Sequence, residues 1–151
     1  MPWLRIHRSI VVAALLAQAS CSSTTQAISD LTVARQRWQA GRPVAYDYTL
    51  NISCFCGTEI TRAVIIVVRN NTVESRTYAD NGQAVAATFN SSFPTMDGFF
   101  DVLVSATARN PYRMDAAYDP VLGYPTHANI DFERDTADEE MFYQISSFHV
   151  R

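Results

Sequence analysis

The stretch Tyr46-Asp47-Tyr48-Thr49-Leu50-Asn51-Ile52-Ser53-Cys54 decides the fold. Apolar and aromatic residues occupy every second position, and the intervening positions carry Asp, Thr, Asn and Ser. A period of two places successive side chains on opposite faces of a strand, so this stretch predicts a half-buried β-strand. Upstream the period is different. Leu31, Ala34, Arg35 and Trp38 share a face at helical spacing, Ser29 or Asp30 can cap that helix, and Gly41 and Pro43 stop it near Ala40.

Downstream, Ala63 to Val68 is β-branched and apolar at alternate and intervening positions alike, which predicts a central strand covered on both faces. Arg69-Asn70-Asn71-Thr72 suits a tight hairpin, because Asn tolerates positive φ, and Val73 to Tyr78 returns as its partner. The segment from Gln83 to Phe93 has no clear period. Thr95 predicts an N-cap, followed by a helix that buries Met96, Phe99, Phe100, Leu103 and Ala106 and ends at Asn110-Pro111. Alternation then resumes with Tyr112, Met114, Ala116 and Tyr118 on one face. Two further strands are expected, Thr126 to Phe132 and Glu140 to Val150, after the turn Asp119 to Pro125. The order α-β-β-β-α-β-β-β predicts an α+β domain: an antiparallel sheet of about six strands with two helices.

Residues 1–20 read as an address. Arg5 and Arg8 flank an apolar run, Ile10 to Ala17, which is far shorter than the ~20 residues that span a bilayer and fits the hydrophobic region of a signal peptide. Two cleavage sites compete. Cutting before Cys21 exposes a cysteine for lipidation, although Gln18 stands where an apolar residue is usual. Cutting after Ala17-Gln18-Ala19 releases a soluble protein. A buried N-terminal helix is a third reading, ill-suited to the basic flank. The expected organisation is a signal peptide over 1–20, a polar tether over 21–28 and a single domain over 29–151. The location is then extracytoplasmic, membrane-anchored through Cys21 or otherwise periplasmic or secreted.

All twelve basic residues are arginine, and without Arg5 and Arg8 ten arginines face fifteen acids, a formal charge of −5. An acidic chain with no basic tract is a poor nucleic-acid binder. The absence of lysine excludes lysine-based catalysis.

The motifs from Trp38 to Phe148 resemble a known family. Trp38, Tyr46-Asp47-Tyr48 and Ser53-Cys54-Phe55-Cys56 open it, and Phe93-Pro94-Thr95-Met96-Asp97 with Phe99-Phe100-Asp101 marks its central helix. Tyr118-Asp119-Pro120, Gly123-Tyr124-Pro125-Thr126 and Ile130-Asp131 form its most distinctive stretch, and Asp138-Glu139-Glu140 precedes the last strand. The chain resembles the uncharacterised bacterial lipoproteins of domain-of-unknown-function family 6174. The resemblance implies an extracytoplasmic, often lipid-anchored protein and carries no activity.

Three groups are candidate sites. Cys54 and Cys56 suit a disulfide in an oxidising envelope, but in an extended strand their Cα atoms would lie about 6.5–7 Å apart, at the limit of bridging. Gly57 gives the chain room to bend. Two buried thiols, or a redox-active or metal-binding pair, are the other readings; the only histidines beyond residue 20 are His127 and His149. Asp131, Asp135, Asp138 and Glu139 lie in an acidic stretch whose oxygens could hold Ca²⁺, but it lacks the EF-hand pattern, and a solvated connection between two strands is the preferred reading. Tyr124 and His127 could form a recognition loop, whereas Tyr118 is expected in the core. His149, near the chain end, is expected to be exposed.

No nucleophile elbow, zinc-protease motif or phosphate loop occurs. No cofactor and no catalytic residue is assigned. The expectation is a noncatalytic bacterial envelope protein with a binding or accessory role toward an unknown envelope protein or ligand. The alternative is a thiol-redox or metal-handling protein using Cys54 and Cys56. A carboxylate hydrolase is a third class.

Overall fold

A computed structural model of the chain describes residues 23–136 and 138–151. The signal segment 1–20 and Cys21 lie outside the described residues. Six strands form one antiparallel sheet: β1 (Ala45–Ser53), β2 (Val64–Arg69), β3 (Thr72–Tyr78), β4 (Arg113–Tyr118), β5 (Pro125–Asp131) and β6 (Met141–Val150), in the order β3-β2-β1-β6-β5-β4. Each half is a three-stranded meander, and the first and last strands join the halves at the sheet centre. Helices α1 (Ser23–Gly41) and α3 (Met96–Ala108) pack on one face, and one turn of helix, α2 (Thr58–Thr61), follows β1. The fold is α+β.

β1 follows its alternation. Tyr46, Tyr48, Leu50 and Ile52 are buried, while Asp47, Thr49 and Asn51 are only half-buried on the opposite face. The β2–β3 hairpin turns on Asn70 and Asn71, with φ of 49° and 56°, the left-handed pair that a two-residue turn requires. Thr95 caps α3, its Oγ1 accepting from the Gly98 N–H at 3.2 Å. The five predicted apolar residues of α3 are its buried ones.

Three expectations are corrected, and one unassigned segment gains a structure. α1 begins by Ser23, six residues before the predicted cap at Ser29, so residues 23–28 are helical. Ile65 and Val67 are half-buried, because the helices cover only the other face of the sheet. Tyr112 is 53% exposed and lies outside β4. Asn110, at φ 52°, and the buried Pro111 turn the chain there, and the strand starts at Arg113. The unassigned segment after Gln83 contains a 3₁₀ turn, Ala87–Ser92. Just before that turn, Ala84 pairs with Thr77 and the Val85 N–H donates to Arg76 O, which covers the outer edge of β3.

One device was invisible to simple alternation. Between Asp47 and Thr49 the β1–β6 register shifts, and Ser147 adopts φ 51°. This bulge resets the alternation. Phe148 thereby stacks on Tyr46, with ring centroids 5.4 Å apart, and on Tyr124 at 4.2 Å.

Candidate functional site: a groove between α3 and β6

Two phenols of β1 position α3. The Tyr48 hydroxyl donates to Pro94 O at 2.5 Å, and the Tyr46 hydroxyl accepts from the Met96 N–H at 3.0 Å. The second bond satisfies a first-turn amide that has no partner inside a helix. Burial pushes the Tyr46 phenol up to about 12 and raises Tyr48 as well. Phe99 then meets Tyr143 of β6 edge-on at 5.1 Å, and Phe100 stacks on Tyr118 of β4 at 6.4 Å.

With α3 held this way, its outward-turned side leaves a gap along β5 and β6. Val102, Ala106 and Arg109 follow one another at helical spacing and form one wall; Ile130, Phe132 and Met141 form the other. This cavity measures about 480 Å³. A second cavity, about 150 Å³, lies between Ile52, Ile60, Pro94 and the Cys54–Cys56 pair. The two share Val102, Met141 and Tyr143 in their linings, so they are adjoining, largely apolar cavities along one side of α3. The larger section is of the size that holds small ligands.

The cysteines close one end of it. A disulfide joins Cys54 to Cys56, with the Cα atoms 5.2 Å apart. β1 ends at Ser53 and the chain bends, which brings the pair closer than an extended strand allows. Cys54 packs against the core, Cys56 is exposed, and Phe55 between them is 82% exposed. The opposite end carries Arg109, the C-cap of α3. Its guanidinium stacks over the Phe132 ring, 3.7 Å from the centroid. The other ionic group on the groove wall, Asp101, is bound to Arg35 at 2.5 Å.

The remaining candidates lie apart. Tyr124 belongs to an aromatic cluster with Trp38 and Phe148 at the helix-bearing face. His127 lies on β5 beside Ala117 and Gln144, on the face that the helices leave open. Tyr118 is half-buried; its hydroxyl has no hydrogen-bond partner, and burial, with Asp30 nearby, pushes its pKa up to about 12. His149 is exposed opposite Asp47. Glu139 folds the acidic stretch by accepting from the backbone N–H groups of Phe132, at 3.0 Å, and Glu133. One Asp131 oxygen is buried without a partner, and Asp135 and Asp138 are exposed. Among the described residues, no three His, Cys, Asp or Glu side chains gather as a metal site.

The distinctive turn after Tyr118 has a structural account. Asp119 Oδ1 accepts from the N–H groups of Val121 and Leu122, at 2.9 and 2.6 Å. Gly123, at φ 84°, lies so close to α1 that a Cβ there would stand 2.5 Å from Ala34 O. The groove residues Val102, Arg109 and Met141 were not singled out from the sequence. The available signal was Val102-x₃-Ala106-x₂-Arg109, a second helical stripe beside the core stripe of α3.

Fold and groove together define a single-sheet α+β domain with a one-sided helical layer and an apolar cleft at its edge. The chain belongs to the family of unknown function DUF6174, whose model matches residues 30–150. No curated protein and no solved structure matches it. No helix among the described residues is long and apolar enough to cross a membrane.

Proposed function

We propose that this protein is a noncatalytic component of the bacterial cell envelope, delivered by the signal-like segment 1–20 and anchored by a lipid on Cys21. Its folded domain serves a binding role. The address rests on the basic flank, the short apolar run and the small residues before Cys21. The observation that carries the binding role is the pair of adjoining apolar cavities between α3 and the sheet, from Cys54–Cys56 to Arg109.

Affinity capture from native envelopes tests the role, with the wild type compared against Ser105→Trp, which places a large ring at the groove wall. The expected result is a component enriched by the wild type and lost with the variant. Equal capture by both contradicts the groove as the site. For the anchor, a palmitate analogue should label the wild type and spare Cys21→Ser; equal labelling contradicts it.

A second reading, thiol-redox chemistry at Cys54 and Cys56, is favoured by one observation: the bonded pair has an exposed member, Cys56. Redox titration separates the two. A structural bridge stays oxidised down to about −300 mV, whereas a functional one is reduced well above that.

A further inference from the structure

We infer that the groove takes a single-chain anionic lipid, a fatty acid, with the carboxylate at Arg109 and the chain running toward the Cys54–Cys56 end. The inference deepens the binding reading above and rests on it. Three observations carry it. First, two adjoining cavities of about 480 and 150 Å³, which share Val102, Met141 and Tyr143 in their linings, follow α3 from Arg109 toward the Cys54–Cys56 pair. That shape suits an unbranched chain.

Second, the lining is apolar where the two cavities meet, and Met141 contributes an adaptable thioether side chain that conforms to flexible chains. The Tyr143 ring is held by Phe99, and Tyr143 has no side-chain hydrogen bond among the described residues. Third, the guanidinium at the mouth makes no ion pair among the described residues. Asp101 on the wall is neutralised by Arg35, whereas Arg109 has no carboxylate within salt-bridge distance among the described residues. Stacking on Phe132 holds the guanidinium plane in place and leaves its N–H edge available. A planar fork of donors is the group that recognises a carboxylate in two-point fashion. A cationic amphiphile would meet like charge at this mouth, and a neutral one would leave Arg109 unpaired.

Calorimetric titration of the protein at pH 8 with decanoate, 1-decanol and decylammonium tests the inference. Decanoate should bind at least about tenfold tighter than decanol, and decylammonium weakest. Arg109→Gln, a change at an exposed position, should erase the decanoate advantage and leave decanol unchanged. Val102→Glu should weaken decanoate and decanol, and Ser105→Trp, which blocks the groove by size, should weaken all three. Decanoate and decanol binding equally, with both lost in the blocked variants, overturns the anionic inference and leaves the groove as a binding site. Absence of binding by all three overturns the inference; the capture comparison above then decides the binding reading separately. Unchanged decanoate affinity in Arg109→Gln also overturns it.

Discussion

The two helices meet the rest of the molecule along seams of opposite character. Around Trp38, where α1 meets the sheet, the seam is closed. Trp38 is fully buried and meets Tyr46, Phe148 and Tyr124 edge-on, with centroids 5.4, 6.0 and 6.5 Å away. Gly123 lets the β4–β5 turn touch the α1 backbone. Along the outer side of α3 the seam stays open. Val102, Ser105 and Ala106 are short, and Phe132 is drawn away to stack under Arg109. Close packing is the default of protein interiors. The open seam therefore leaves apolar surface without partners from the chain itself, the surface on which the proposed ligand would gain contacts, and the closed seam is where stability is concentrated.

Alkaline pH should break the buried contacts of both helices with the sheet, the largest effect expected. Tyr46 and Tyr118 have folded-state values raised to about 12, and burial also raises Tyr48 and Tyr124. Each of these phenols binds its proton more tightly in the folded state than at the ordinary value of about 10. For Tyr46 and Tyr118 that contribution is complete below pH 10 and is lost as pH rises through about 12, and for Tyr48 and Tyr124 it is likewise lost only above pH 10. Circular dichroism and phenolate absorbance should therefore change together above pH 10; ionisation of all tyrosines near pH 10 with the fold intact would contradict this. Trp38→Ala comes next, costing about 3–5 kcal/mol in urea unfolding. Gly123→Ala should cost about 2–3 kcal/mol, since it combines a left-handed backbone with a clash against Ala34 O. Val102→Ala, on the open seam, should cost less than about 1 kcal/mol, because its side chain is only half-buried. A Val102→Ala cost equal to that of Gly123→Ala would erase the distinction between the seams.

Much of the closed seam was legible in the residues. Leu31, Ala34 and Trp38 announced the buried stripe of α1, Tyr46 to Ile52 announced the central strand, and Thr95 marked the start of α3. These are local signals, carried by period and capping chemistry. The partners of those residues were not legible. Phe148 reaches the aromatic cluster only because of the bulge at Ser147, and strand alternation alone assigns it the other face. Tyr124 was read as a possible contact residue because a turn is ordinarily exposed, but the turn lies against α1. The groove was the least legible part. It is a space between Val102 of α3 and Met141 of β6, and period shows which face a side chain takes but not how far apart two elements settle. The resemblance named the family correctly and left the ligand open.

The most direct test of the central claim reads the groove at Met141. In protein labelled with ¹³C at its methionine methyls, Met141 lies in the groove, whereas Met96 and Met114 are buried in the core. On titration with decanoate at pH 8, the Met141 methyl resonance should shift saturably, with Met96 and Met114 nearly unchanged. A Met141 resonance that stays fixed while decanoate binds, or shifts spread equally over all three methyls, would contradict the claim.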